Sequence, residues 1–179
     1  MTGVRFPTGW HVETLAKPHN RRSFTCGNTQ VDRWLRQSAL QSQKKHLSVT
    51  KVLLDENDTI VGFYTLATSQ VDFSDLPPEL SRVLPRRQLP VAVLAWLGIA
   101  SRFQSQGLGK RILAMALRDC FDASQSFAFV AVLLDCVDDS AKKFYRQFDF
   151  DELPGHPMRL YLSFRMLEGI MKKTSDTEA

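Results

Sequence analysis

An almost unbroken apolar run of ten residues, Val91–Ala100, leads into the stretch Arg102-Phe103-Gln104-Ser105-Gln106-Gly107-Leu108-Gly109-Lys110, and a helical pattern follows over Lys110–Phe121. Leu108, Ile112, Met115, Ala116 and Cys120 recur on one stripe, with Leu113, Leu117 and Phe121 beside it. The pattern predicts a buried strand, a tight turn and a helix with a wide buried face. Phe127–Leu134 is apolar throughout, as in a central strand covered on both sides, and Asp138–Phe148 places Ala141, Phe144, Tyr145 and Phe148 at helical spacing. Strand, helix, strand, helix implies a parallel crossover.

Upstream, Trp10–Ala16 alternates as a strand that Pro18 ends, and the turn Phe24–Thr29 leads into a helix. Thr29 and Asp32 have capping-box spacing, with Val31, Trp34, Leu35 and Ala39 on the buried face and an expected end near Lys45. Val49–Leu54 and Ile60–Thr68 read as a hairpin across the polar turn Asp55–Asp58. A connector punctuated by Pro77, Pro78 and Pro85 ends at Pro90, the expected entry to the long strand. Met158–Phe164 is a last strand and Arg165–Lys173 a terminal helix. One domain over residues 1–173 is expected, with 174–179 a flexible polar tail.

The turn after Ala100 carries the chemistry. Gly107 and Gly109 let the backbone approach a ligand, and the helix that follows turns free N–H groups and a positive dipole end towards it. The turn therefore reads as a phosphate cradle. Neither nucleotide-binding pattern fits: the Lys-Ser/Thr of a Walker A loop is missing, and Ile112 stands where Gly-x-Gly-x-x-Gly needs its third glycine.

Composition narrows the class without choosing a function. The 179 residues are 44% hydrophobic and 23% charged, ordinary for a soluble domain. No apolar run approaches spanning length and the first residues lack a signal-peptide core, so a cytoplasmic protein without a membrane segment is expected. Three cysteines without CxxC spacing and four histidines without ligand spacing indicate neither disulfides nor a metal. The net charge of +4 is mild, but basic residues bunch at Lys17–Arg22, Lys44–Lys51, Arg82–Arg87, Lys142–Arg146 and Lys172–Lys173, which would suit a polyanion.

Gln104, Gly107 and Gly109 form Gln-x-x-Gly-x-Gly, and here the chain resembles the GNAT acetyltransferases, whose equivalent turn binds the pyrophosphate of acetyl-coenzyme A. A second stretch, Asp138-x-x-Ala141-x-x-Phe144-Tyr145-x-x-Phe148-Asp149-Phe150, is similar to the family's Asn-x-x-Ala-x-x-Phe-Tyr-x-x-x-Gly-Phe. Asp replaces Asn at 138 and Gly at 149. Aspartate caps helices and tolerates positive φ, so the backbone survives both changes. The resemblance spans about Trp10–Phe164 and implies an α/β (α+β) GNAT fold, a central mixed sheet flanked by helices. It also implies an acetyl-CoA site made by the backbone of Leu97, Gly98 and Ile99, by Gln104, Ser105, Gln106, Gly107, Leu108, Gly109 and Lys110, and by Asp138, Ala141 and Phe144. Tyr145 would be the acid that protonates the departing thiolate.

A general base is harder to find. Val91–Ala100 holds no carboxylate, whereas many lysine- or polyamine-acetylating relatives carry one on this strand. A lysine amine near pKa of about 10.4 needs such help, but an α-amine at about 7.7–8.0 is already partly neutral. The missing base leans the substrate towards an α-amine, with Glu13, Glu56 or Asp135 the carboxylates that folding would have to bring in otherwise. Cys136 ends the central strand without a neighbouring histidine and reads as a small packing residue.

Phe24-Thr-Cys26-Gly27, Val31-Asp32-Arg33-Trp34-Leu35, Gly62-Phe-Tyr64-Thr-Leu66, Leu84-Pro85-Arg86 and Pro90-Val91 are similar to one GNAT branch, the tRNA-acetylating toxins encoded beside ribbon-helix-helix antitoxins. That likeness implies aminoacyl-tRNA as substrate, an antitoxin partner and a homodimer, with Arg86, Arg87, Lys44 and Lys45 as candidates for the phosphate backbone. A small-molecule or protein N-terminal acetyltransferase, and a non-catalytic acyl-CoA-binding module, remain as alternatives.

Overall fold

The computed structural model describes residues 4–178, with side chains described through Thr174. Seven strands form one mixed sheet: β1 (His11–Thr14), β2 (Val49–Leu54), β3 (Ile60–Asp72), β4 (Gln88–Ile99), β5 (Ala131–Asp135), β6 (Asp151–Leu153) and β7 (His156–Ser163). Their order is β1-β2-β3-β4-β5-β7-β6. The pairs β1/β2, β2/β3, β5/β7 and β6/β7 are antiparallel. β4 and β5 run parallel with Ala92 opposite Val132, the crossover expected from the strand–helix–strand pattern. The helices are α1 (Thr29–Arg33), α2 (Ala39–Lys44), α3 (Pro78–Ser81), α4 (Leu108–Ser124), α5 (Asp139–Arg146) and α6 (Phe164–Glu178).

Two compact units share these elements. One is Met1–Ala67 with Leu94–Arg118, the other Thr68–Val93 with Asp119–Ala179. The first is built around Leu15, Phe24, Val31, Leu35, Val52, Leu54, Ile60 and Phe63, so the apolar face of α1 closes on β2 and β3. The second is built around Val71, Leu89, Val91, Ala131, Leu133, Leu153 and Tyr161. Burial of these side chains supplies roughly 1.5–3 kcal/mol each before chain entropy is charged against it.

Local chemistry sets the boundaries, in places differently from the pattern. α1 is capped by Asn28, not by Thr29: the Asn28 side chain accepts from the N–H groups of Gln30 and Val31, while Asp32 turns back to Cys26 and Thr25. Between α1 and α2 the residues Trp34–Ser38 form a π-helical turn. The Asp55 carboxylate accepts from the N–H groups of Asn57 and Thr59, both at 2.9 Å, and Asp58 takes φ of 57°, which closes the β2–β3 hairpin. Pro90 lies inside β4 rather than before it. The apolar run from Phe127 does not become strand until Ala131: Phe127 is 79% exposed, and Phe129 packs edge-on to Phe164 at 5.6 Å. β6 is an additional strand of three residues, too short to show a period. α6 runs to Glu178, past the expected end at Lys173, so the expected tail is helical as far as described; Ala179 lies outside the described residues.

Candidate active site

In the first unit, β4 delivers the chain to the cradle. Gly98 is required by packing, since a Cβ there would meet side-chain atoms of Phe63 and Val31 at 2.9 Å. The Ala100 N–H donates to the Val61 carbonyl, and a 3₁₀ turn, Ser101–Phe103, starts the loop. Gln104 spends its amide inside the protein, donating to the carbonyls of Cys26 at 2.7 Å and Ile99 at 2.9 Å. Ser105 and Gly107 then take φ of 60° and 76°, folding the backbone back before α4 begins at Leu108. Leu108, Ile112, Leu113, Ala116 and Leu117 are buried and fix the axis of the helix.

The cradle suits a phosphate group. The first N–H groups of α4 have no partner within the helix, and no acidic residue stands in its first turn. A Cβ on Gly107 would meet nothing within 4 Å, so the space in front of it is open, and its positive φ favours glycine. Gln106, Gly107 and Lys110 are exposed and Gly109 is half-buried. Arg111, one residue beyond the motif, donates to the Arg5 carbonyl at 3.0 Å and ties the N-terminal segment to the start of α4. The pattern gave no sign of it, because a carbonyl partner leaves no trace in residue type. Leu97 is half-buried beside Gly98 and Ile99.

In the second unit, β5 ends at Asp135 and Asp138 caps α5, its carboxylate accepting from the Ala141 N–H at 2.7 Å. The Asp-for-Asn exchange therefore preserves the cap. Asp149, where the family has glycine, takes φ of 65° as its residue type permits. Between them α5 carries Ala141 and Phe144, both half-buried, and Tyr145, which is buried against Phe144 at 5.2 Å and Phe150 at 5.9 Å between ring centres. Burial above all, helped by the charge of a Cys136 thiolate, pushes the Tyr145 phenol well above the ordinary tyrosine value and keeps it a proton donor. Burial likewise raises the Cys136 thiol, which removes it as a ready nucleophile.

The three acidic candidates are all engaged. Glu13 accepts from His19 at 2.5 Å, Glu56 from the Trp10 indole at 2.7 Å, and Asp135 holds Arg159 through two bonds of 2.7 and 3.1 Å. The basic clusters separate in the same way. Lys142 and Arg146 both pair with Glu152, whereas Arg86, Arg87, Lys44 and Lys45 are exposed without a carboxylate partner among the described residues. Arg86 lies over the ring of Phe73. Lys44 and Lys45 end α2 in the first unit, and Arg86 and Arg87 belong to the second. No helix is long and apolar enough to cross a membrane, and no metal-binding group of three or more His, Cys, Asp or Glu occurs among the described residues.

Residues 12–150 match the Acetyltransferase (GNAT) family. A tRNA-acetylating toxin of Mycobacterium tuberculosis is 34% identical over 140 residues, covering 78% of this chain and 83% of its own. The probable toxin TacT of Sinorhizobium fredii is 28% identical over 162 residues, covering 86% and 90%. Among solved structures, AtaT complexed with acetyl-methionyl-tRNAfMet superposes with a TM-score of 0.83 at 20% identity, over 90% of this chain and 99% of that one. A mutant of KacT gives 0.85 at 20% identity, over 91% and 99%. These two likenesses show the fold. A family match along most of the sequence, together with a relative 34% identical over most of its own length, makes this chain a member of the GNAT family of acetyltransferases.

Proposed function

We propose that this protein is an acetyl-CoA-dependent toxin that acetylates the α-amine of aminoacyl-tRNA and so blocks translation. The observation that carries the reading is the 34% identity to a protein named a tRNA-acetylating toxin, along 83% of that relative. AtaT, of the same fold, is described in complex with acetyl-methionyl-tRNAfMet, with acetyl-CoA and with the antitoxin AtaR. The reading takes residues 1–173 as one acetyltransferase domain, since the family match runs through both compact units. It also includes a ribbon-helix-helix antitoxin as partner, a homodimer as the assembly and the cytoplasm as the place of action.

Bound acetyl-CoA supplies the acetyl group as a thioester. The open turn at Gly107 and the first turn of α4 would receive its pyrophosphate. Main-chain N–H groups around Leu97–Ile99 would polarise the carbonyl as the amine attacks. Tyr145, held protonated by burial, would give its proton to the sulfur as the C–S bond breaks. The amine that attacks must be neutral. An α-amine near pKa of about 7.7–8.0, lowered further beside an ester, meets that need with water as proton acceptor. The engagement of Glu13, Glu56 and Asp135 elsewhere fits a reaction with no carboxylate base.

Labelled acetate should pass from acetyl-CoA to charged tRNA and not to the same tRNA after mild alkaline deacylation. Equal labelling of deacylated tRNA, or faster labelling of polyamines or peptide N-termini, would replace this reading with one of the other acetyltransferase activities.

A further inference from the structure

A short turn before α1 is tied to the leading edge of the cradle by donors of Ser101 and Gln104. The Ser101 N–H donates to the Thr25 carbonyl at 2.8 Å and the Ser101 hydroxyl to the same oxygen at 3.2 Å. Gln104 adds its bond to the Cys26 carbonyl at 2.7 Å. Two successive carbonyls thus face the loop that leads to Ser105 and Gly107.

The other side of this turn rests on one carboxylate. Asp32 accepts from the Cys26 N–H at 2.8 Å and from the Thr25 hydroxyl at 3.0 Å. The Thr25 carbonyl and the Cys26 N–H belong to the same peptide group, and in a trans peptide they point in opposite directions. Asp32 therefore grips one end of a plane whose other end grips Ser101. Helix capping does not account for Asp32, because Asn28 already satisfies the N–H groups of Gln30 and Val31. Nor does a surface role, because Asp32 is only 7% exposed, and burying a carboxylate is costly unless its acceptors are used. Gly27, at φ of 86°, completes the turn.

We propose that Asp32 is a positioning residue for acetyl-CoA: through the Thr25–Cys26 peptide, Ser101 and Gln104 it sets the backbone of the pyrophosphate cradle. The inference rests on the cradle as the pyrophosphate site. Asp32 touches no ligand, and its effect is confined to the part of the cofactor the cradle receives.

Acetyl-CoA and acetyl-pantetheine carry the same thioester, but the second lacks the pyrophosphate with the adenosine and 3′-phosphate beyond it, so the pair separates the nucleotide end, which the cradle would hold, from the thioester end. Dissociation constants for both are read from protein NMR titrations of wild type and Asp32→Asn, with KM and kcat for acetyl-CoA alongside. Asp32→Asn keeps the shape but turns an amide towards one of two donors. Acetyl-CoA should bind about tenfold more weakly, the scale of a lost charge-assisted hydrogen bond, with KM rising and kcat nearly unchanged. Acetyl-pantetheine should bind as in wild type. Equal weakening of both ligands, or a fall in kcat with KM unchanged, would make Asp32 a general structural residue and overturn the proposal. Should Asp32→Asn not fold, Thr25→Val decides: it removes the hydroxyl that donates to Asp32 and leaves the bond from the Cys26 N–H, and a loss of about threefold for acetyl-CoA alone is expected. No change, or an equal change for both ligands, overturns it. A wild-type protein that binds both ligands equally well would instead remove the pyrophosphate cradle, and this inference with it.

Discussion

Replacing Tyr145 with phenylalanine removes one oxygen and keeps the ring that meets Phe144 and Phe150. Melting temperature and acetyl-CoA affinity should therefore stay close to wild type, while turnover falls by roughly 10²-fold or more, the usual scale for losing a general acid. A wild-type rate would return Tyr145 to the core. Loss of cofactor binding together with stability would make its role structural. The direction of its pKa adds a second readout. A phenol raised by burial stays loaded with its proton throughout the neutral and mildly alkaline range, so the acid gives no falling limb there. The rate should rise towards a plateau near pH of about 8 as the substrate amine loses its proton, and initial rates, read before the aminoacyl ester hydrolyses, should show no fall to about pH 9. Tyr145 was singled out by the resemblance of Asp138–Phe150 to the family's motif, since the helical stripe alone marks it as a core tyrosine beside Phe144. Gln104 was legible only as a motif member. That its amide binds two backbone carbonyls depends on a turn 78 positions away in the chain, which no local pattern records.

The end of β4 and the start of α4 carry glycines needed for different reasons, and alanine should tell them apart. At Gly98 an added methyl meets Phe63 and Val31 at 2.9 Å, so Gly98→Ala should cost about 1–3 kcal/mol of folding stability, read as a lower urea midpoint. At Gly107 the methyl meets open space, and the cost is the positive φ alone, about 1–2 kcal/mol. Gly107→Glu adds an anion where the pyrophosphate is proposed to sit, so calorimetry should find acetyl-CoA affinity collapsed in a protein that still folds. Unchanged binding by that variant would remove the cradle from the site. Long periodic elements were readable for a physical reason: α4 repeats its buried stripe over 17 residues, and the sheet-crossing run at β4 is apolar throughout. Short or context-bound ones were not. β6 has three residues, and Phe127–Val130 is as apolar as the strand it precedes, so only the packing of Phe129 on Phe164 shows that strand pairing starts later.

Over the whole molecule, protonation and charge make separate demands. Burial first, then the Asp32 carboxylate, pushes the Cys26 thiol up to about 11. Burial also raises Cys120 and Tyr161 to about 12. The unfolded chain releases these protons near pH of about 8.5 for thiols and about 10 for phenols, so above those values it binds fewer protons than the folded one. Their contribution is complete below about pH 8.5 and is lost as pH climbs towards 12, so the urea midpoint should drop between pH 7.5 and 10.5; an equal midpoint would contradict these shifts. The net charge of +4 poses the other question, which basic residues meet a polyanion. Lys142 and Arg146 are already neutralised by two carboxylates, Glu152 between them and Asp151 beside Arg146, so this pair contributes little field. Arg86 and Arg87 are exposed and carry no carboxylate partner among the described residues, which leaves their charge available. If they meet tRNA phosphates, changing both to glutamate should weaken tRNA binding at every sequence. It should also flatten the plot of log affinity against log salt by about one to two units, since each phosphate contact contributes roughly 0.7–0.9 to that slope. Acetyl-CoA affinity should not move, because the cradle lies in residues 104–110 and neither arginine belongs to it. An unchanged salt slope would take Arg86 and Arg87 out of the tRNA surface and leave Lys44 and Lys45, at the end of α2, as the pair to reverse next.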